Sequence, residues 1–323
     1  MEISANYKKH FPVMLKEVLQ YLAPKEGEVY VDATFGNGGY SEAILNSCNC
    51  KVIALDRDPN VMSRAVELKQ KFGNRFDFRA GCFGQFADLV HENINGAVFD
   101  IGVSSMQLDE AQRGFSFSKD APLDMRMSQS GESAADLVNN LSEKELAYLI
   151  YNYGEERKSR QIAQKIVNSR KNKPILTTKE LAEIIYSVIP FYKGAINPAT
   201  RTFQALRIAV NNELEELKKG LFYASARLNN KGRLVVVDFH SLEDRIVKQF
   251  FKNNTKPNRH QSRYKQNSTK DDDKFMFYQC SKAISPSNDE IKINARSRSA
   301  KLRCAIKNDS NIINERSSQN EYF

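Results

Sequence analysis

The chain is 323 residues long, 41% hydrophobic and 27% charged, with a formal net charge of +9 at pH 7. That length and apolar content support a real core, and suffice for one large α/β domain or for one domain with a second inserted in it. No run of about 18 apolar residues occurs, which argues against a transmembrane helix, and the polar start Met1–Lys9 lacks both the apolar stretch of a secretory signal and the Arg-rich, acid-poor character of a transit peptide, so the cytoplasm is the expected compartment.

Taken in chain order, Val13–Ala23 has apolar residues at helical spacing and stops before Pro24. Glu28-Val-Tyr-Val-Asp32 is a strand that ends on an acid. Ala33 to Gly39 is a glycine-rich turn, and Tyr40–Asn46 starts a helix. Lys51-Val-Ile-Ala-Leu-Asp56 is a second strand with an acid at its end. A helix follows over Asn60–Phe72, then strands over Phe76–Ala80 and Gly96–Ile101, the last carrying Asp100 near its end. Repeated strand–turn–helix units predict a mostly parallel sheet covered by helices on both faces. Such sheets bind ligands at the carboxyl ends of their strands, where Asp32, Asp56 and Asp100 all fall.

From about Gln107 the character changes. Arg113–Met127 is a loop rich in Phe, Met, Asp and Arg. Helical patterns then follow over 134–140, 143–153, 157–170, 178–189 and 200–219, with Ser142 and Thr177 as N-caps and no strand signal. Gly232-Arg-Leu-Val-Val-Val-Asp238 restores a buried strand, and 241–253 a helix. The simplest organisation is an α/β domain of residues 1–106 and 214–306 interrupted by an all-helical insertion, 107–213. Lys252–Lys274 has almost no apolar residues and reads as a flexible loop, Phe275–Cys280 as a last strand, Asn294–Cys304 as a basic segment, and 307–323 as a disordered tail. The five cysteines, Cys48, Cys50, Cys82, Cys280 and Cys304, form no Cys-x-x-Cys pair, which points to free thiols rather than a metal site.

The turn Asp32-Ala-Thr-Phe-Gly36-Asn-Gly38-Gly39 carries the ligand signal. Its glycines let the backbone turn sharply and approach a ligand closely. The spacing is not Gly-x-Gly-x-x-Gly, and an acid precedes the glycines, where a pyrophosphate would be repelled. S-adenosylmethionine has no phosphate and carries two cationic groups, so acids at strand ends suit it. Asp56 can accept hydrogen bonds from both ribose hydroxyls, a role shared with NAD proteins. The basic surplus favours a polyanionic partner, of which phosphate backbones are the commonest.

With these residues in place, the chain resembles the bacterial small-subunit ribosomal RNA cytosine-N4 methyltransferases, the MraW/RsmH family, from His10 to Arg303. The resemblance rests on His10-Phe-Pro-Val-Met-Leu15, Asp32 to Ser41, Asp56-Arg-Asp-Pro59, Asp100-Ile-Gly-Val-Ser-Ser-Met-Gln107, Arg113-Gly-Phe-Ser-Phe117, Pro122-Leu-Asp-Met-Arg126, Tyr153-Gly-Glu-Glu-Arg157, Pro198 to Arg207, Phe239-His-Ser-Leu-Glu-Asp-Arg245 and Arg296 to Arg303, in family order. It implies a Rossmann-like class I methyltransferase fold with cofactor contacts at Gly38, Gly39, Tyr40, Asp56, Phe83, Asp100 and Gln107. It also implies methylation of the N4 amine of a cytosine in the decoding region of small-subunit ribosomal RNA, and the large insertion, expected to be the substrate-recognition domain, favours the assembled small subunit over naked RNA as substrate. Tyr40 departs from the family's usual His, Asn197 from a His before Pro198, and Met106 and Ala295 from Pro.

DNA amino-methyltransferases present a Pro-Pro-Tyr/Phe motif after the fourth strand, and Asp100 to Ser105 stand there instead. Asp100 is therefore the candidate catalytic residue, orienting the cofactor or the target amine, with Ser104 and Ser105 lining the pocket. Phe83, Phe115 and Phe117 either stack on an unstacked base or belong to the core. Arg201, Arg207, Lys301 and Arg303 are candidate phosphate ligands, although Arg207 could equally pair with a nearby Glu. His240 is either a pocket residue or part of a helix cap with Ser241, Glu243 and Asp244.

Overall fold

A computed structural model describes residues 12–192, 196–256, 275–308 and 323. His10 and Phe11, most of the loop expected over Lys252–Lys274, residues 309–322 and the side chain of Ser105 lie outside the described part. The chain divides into two compact units. One takes in the chain up to Gly102 and from Leu214, the other is Val103–Glu213.

In the first unit, turn-bounded segments, most of them apolar, form seven strands among the described residues: β1 Val29–Asp32, β2 Lys51–Asp56, β3 Phe76–Ala80, β4 Ile94–Asp100, β5 Leu228–Asp238, β6 Phe277–Cys280 and β7 Lys301–Lys307. Their order is β3-β2-β1-β4-β5-β7-β6. The first five run parallel, and β7 lies antiparallel to both β5 and β6. Parallel neighbours need long crossovers, and helices Gly39–Ser47 and Met62–Phe72 supply those between β1, β2 and β3. Val31, Leu55, Phe99, Val236, Phe250 and Phe277 belong to one buried cluster of this unit. Each such side chain contributes about 1.5–3 kcal/mol by leaving water.

Register decides where the polar ends fall. Asp32 pairs with Ala54 on one side and Val98 on the other, and Asp100 with Val237. The closing acids of β1, β2, β4 and β5 (Asp32, Asp56, Asp100 and Asp238) therefore stand along one edge of the sheet.

β7 is absent from the sequence reading, and its charges explain why. Arg303 is 9% exposed and ion-paired, and Lys307 is buried with Nζ donating to the Ser225 carbonyl at 2.8 Å. A strand whose inward positions carry Lys and Arg does not show apolar alternation. Lys307, expected to open the tail, instead closes β7, and the Phe323 ring stacks on Phe250 with centroids 4.8 Å apart, while residues 309–322 of that tail lie outside the described part.

The second unit contains helices Ala134–Asn140, Glu143–Gly154, Ser159–Arg170, Thr178–Val188 and Ala199–Asn211. Three begin with reciprocal caps. Ser133, Ser142 and Thr177 accept from the N3 amide, and Asp136, Glu145 and Glu180 return a bond to the cap amide. The 113–127 loop is packed rather than free: Phe115, Leu123, Met125 and Met127 join the core of this unit, and the Arg113 guanidinium donates to the carbonyls of Arg126 and Met127. The division from the first unit falls at Val103, a few residues before Gln107, because Val103 and Leu108 pack on this helical core.

The helix expected over 200–219 is two helices. Asn212 takes a left-handed conformation, φ 50°, which asparagine tolerates better than most residues, and a second helix runs Glu213–Arg227. Asn211, just before the break, donates from Nδ2 to the Met125 and Arg207 carbonyls and accepts from the Met127 amide through Oδ1, all at 2.8–2.9 Å. Asn211→Ala leaves buried loop groups unpaired. A loss of about 2–3 kcal/mol is expected in denaturant unfolding, and an unchanged midpoint would show that the loop is held by its apolar residues alone.

Candidate functional site

The site begins with the turn after β1. Asp32 is fully buried: Oδ2 accepts from the Ser41 amide at 3.1 Å and the Ser41 hydroxyl at 2.7 Å, and Oδ1 from the Thr34 amide at 3.3 Å. These bonds tie the end of β1 to the first turn of helix Gly39–Ser47. Gly36 and Gly38 have φ of 50° and 72°, a region that favours glycine. A Cβ on Gly38 would also lie 2.8 Å from Phe35 and Leu68, and one on Gly39 2.2 Å from Pro12. The glycines therefore make room for the protein's own Pro12, Phe35 and Leu68.

At the end of β2, Asp56 accepts from the Asp58 amide at 2.9 Å through Oδ1 and from the Gly36 amide at 2.7 Å through Oδ2. Burial raises its pKa, and the two amides work against that rise. The carboxylate is oriented by backbone and keeps lone pairs for further donors. Phe83, after β3, is half-buried and meets Phe99 edge-on with centroids 5.7 Å apart. It packs against the core, and Gly220 allows the approach, since a Cβ there would stand 3.0 Å from both rings.

Asp100, at the end of β4, is only partly compensated. Its amide donates to the Thr34 hydroxyl at 2.7 Å, but its buried Oδ1 has no hydrogen-bond partner. Burial pushes its pKa up to about 8. The negative charge of Asp32 adds to the rise, the nearby Tyr40 hydroxyl partly offsets it, and Glu243 adds to it again. Tyr40 is itself buried, and its hydroxyl donates to the Val13 carbonyl. The Tyr that replaces the family's usual His thus spends its proton on the segment leading into helix Leu15–Leu22. The amides of Gly39 and Tyr40 remain as the opening donors of their helix.

Asp238, closing β5, went unremarked as a site residue although Val-Val-Val-Asp carries the same strand-end signal as the other three. It is 1% exposed, neither carboxyl oxygen has a partner, and burial followed by the charges of Asp244 and Glu243 pushes its pKa up to about 8. His240 caps helix Ser241–Asn254: Nδ1 accepts from the Glu243 amide, and Nε2 lies 2.9 Å from Glu243 Oε1. Glu243 Oε2 accepts from the Phe239 and His240 amides. Of the two alternatives for His240, the structure contains the cap.

The expected phosphate ligands are mostly committed elsewhere. Lys301 and Arg303 both bind Asp244, at 2.8 and 2.7 Å, and Arg303 is buried. Arg207 makes a bidentate pair with Glu213, at 2.9 and 2.8 Å. Arg201 is exposed, 3.8 Å from Glu156. Gln107 belongs to the second unit, where it closes a reciprocal cap with Ser104. Phe115 is core there, and Phe117 packs edge-on against Phe203.

A mostly parallel sheet with β7 reversed between β5 and β6, and acids closing β1, β2 and β4 around a glycine turn, defines a Rossmann-like methyltransferase fold. The chain belongs to the MraW methylase family, which it matches over residues 7–308. Its relatives include proteins named ribosomal RNA small subunit methyltransferase H. That of Rickettsia felis is 55% identical over 302 residues, 93% of this chain and 99% of its own. That of Rickettsia canadensis is 54% identical over 300 residues, 92% of this chain and 97% of its own.

The raised pKa values of Asp100 and Asp238 tie the stability of the fold to pH. Folded, each holds a proton up to about pH 8, whereas an unfolded aspartate releases it near 4. Their contribution to stability is complete below about pH 4 and is lost as pH rises to about 8, by up to about 1.4 kcal/mol per pH unit each. Asp100→Asn removes one such group. Without ligand, its thermal midpoint should gain on the parent protein between pH 6 and pH 8, and parallel curves for the two proteins would mean that Asp100 ionises normally.

Proposed function

We propose that this protein transfers a methyl group from S-adenosylmethionine to the exocyclic N4 amine of a cytosine in the decoding region of small-subunit ribosomal RNA. The observation that carries the reading is the buried Asp100 carboxyl at the end of β4, whose Oδ1 has no hydrogen-bond partner, beside a glycine turn in a chain of the MraW methylase family. The family gives methyl transfer, the relatives' name gives the class of RNA, and the cytosine amine rests on the resemblance of Asp100 to Gln107. A cytoplasmic setting and the assembled small subunit as substrate accompany this reading.

The residues present fit S-adenosylmethionine. The Asp56 carboxylate, fixed by two backbone amides, suits a vicinal diol. The Gly39 and Tyr40 amides at a helix N-terminus suit a carboxylate. The unpaired oxygen of Asp100 suits a cationic centre or an N–H donor. Phe83 would contribute an apolar wall. When bound, S-adenosylmethionine supplies an electrophilic methyl group.

The target amine is a weak nucleophile because its lone pair is delocalised into the ring. As it is alkylated, positive charge builds on nitrogen. An ionised Asp100 that accepts one of its N–H bonds stabilises that charge, and does so strongly because the site is buried. Alignment supplies the rest of the acceleration, and the surplus proton leaves to water after transfer. Asp100 must be ionised for this role, so the cation that binds beside it also lowers its pKa. His240, Lys301 and Arg303, at the same edge of the sheet, are assigned to holding helix Ser241–Asn254 and β7 rather than to the RNA. Arg207 is assigned to Glu213, and Arg201 is retained as a phosphate contact.

The direct test uses labelled S-adenosylmethionine and small ribosomal subunits that lack their modifications, followed by nucleoside analysis. Label in N4-methylcytidine is the expected result. Cofactor binding without label would move the substrate to another nucleic acid, and no cofactor binding would sink the reading.

Two further outcomes are expected. S-adenosylmethionine affinity should rise with pH up to about 8, by up to about tenfold per unit, as Asp100 gives up its proton. Asp100→Ala should lower turnover with cofactor and substrate saturating by a factor of about 100 or more, and unchanged turnover would remove Asp100 from the chemistry.

A further inference from the structure

Between Arg157 and Lys179 the chain contains no acid, while residues 157–173 carry seven Lys or Arg. Helix Ser159–Arg170 occupies most of this stretch. It buries Ile162, Ala163 and Ile166 against the core of the second unit. Arg160, Gln164, Lys165 and Asn168 are exposed, as are Arg157 before the helix and Lys171 after it. Their spacing of three and four residues places them along the outward side of the helix. At 1.5 Å per residue, Arg160 to Lys171 spans about 16 Å.

Other cations of this unit behave differently. Arg126 is paired with Asp124, Arg207 with Glu213, Lys173 with Glu180 and Lys179 with Glu183. Among the described residues, Arg157, Arg160 and Lys165 have no such acid, and Lys171 reaches only the Asn168 side chain, at 3.4 Å. Like charges in a row oppose folding modestly, and among the described residues none of these four is ion-paired with an acid. Helix Glu143–Gly154, which packs on this helix, exposes Tyr148 at 68% and Tyr151 at 58%, one turn apart on the same face. Cations and amides without acids match a phosphate backbone, and exposed tyrosines offer ring faces to unstacked bases.

We propose that this acid-free face is a docking surface for the phosphate backbone of structured RNA, outside the methyl-transfer site. It rests on the ribosomal RNA reading and adds to it a place where the substrate is gripped. An exposed face of this kind requires no rearrangement of the fold to bind. Its contribution is electrostatic, so it should vary steeply with salt.

The test is the triple variant Arg160→Gln, Lys165→Gln, Lys171→Gln, compared with the parent protein in filter binding to small-subunit ribosomal RNA between about 50 and 200 mM salt. The expected result is at least a tenfold loss of affinity at low salt. The slope of log affinity against log salt should fall by about 2, since each lost phosphate contact removes about 0.7–0.9. Thermal midpoint and S-adenosylmethionine affinity should hold, which separates lost docking from lost folding. Equal affinity and slope for variant and parent overturn the proposal. So does a parent protein that does not bind the RNA. A parent protein that binds the RNA through these residues but does not methylate it would refute the function proposed above and leave the docking surface standing. A Tyr148→Ala, Tyr151→Ala variant should weaken binding without changing the salt slope, and a changed slope would contradict the stacking role of the two rings.

Discussion

The bonds from Asp32 to Ser41 and Thr34 hold the site together. They fix the angle between β1 and the helix behind it, and that angle sets the glycine turn, the Gly36 amide that orients Asp56 and the Thr34 hydroxyl that receives the Asp100 amide. The arrangement requires a carboxylate in a fully buried place, and burial with the hydrogen bonds it receives leaves the Asp32 pKa at about 6. Three more carboxyls stand near, and Glu243 raises the pKa of both Asp100 and Asp238. The sheet edge thus gathers carboxyl groups of which two, Asp100 and Asp238, avoid their charge by staying protonated, a condition that a cationic ligand relieves by favouring the ionised form. Affinity for such a ligand is built into the cost of keeping these groups dry.

Much of the first unit was legible because its signals are local. Lys51–Asp56 and Phe76–Ala80 are strands with the expected bounds, since an apolar run between turn residues leaves little choice. Helices Ala134–Asn140, Glu143–Gly154 and Thr178–Val188 begin at the expected residues, because a Ser or Thr three places before an acid marks a helix start without tertiary help. What the sequence hid depends on partners far along the chain. β7 looks like a basic segment until Asp244 and the Ser225 carbonyl are seen to receive its cations. The break at Asn212 follows from the preceding Asn211, whose side chain holds the 113–127 loop.

The site residues divide along the same line. Asp32, Asp56 and Asp100 could be chosen from their positions at strand ends, and Asp238 by the same rule. The choice of cations was weaker. Charge is visible in a sequence but pairing is not, and Arg207, Lys301 and Arg303 carry charges that Glu213 and Asp244 already offset. The acid-free helix shows the converse. Its cations drew no attention one by one, and their significance lies in the acids missing around them.

The insertion between β4 and β5 also shapes how the chain reaches its fold. These strands pair directly, Asp100 against Val237, yet more than a hundred residues separate them. Were that stretch unstructured, closing it would carry the entropy of a long loop, and pairing would be slow. The second unit has its own core and its own caps, so it can gather that length into a compact body before β5 arrives. In kinetic terms it is a spacer that shortens itself. Loosening its core, even far from any reacting group, should delay completion of the sheet and prolong the time that the apolar edge of β4 stands exposed to other chains.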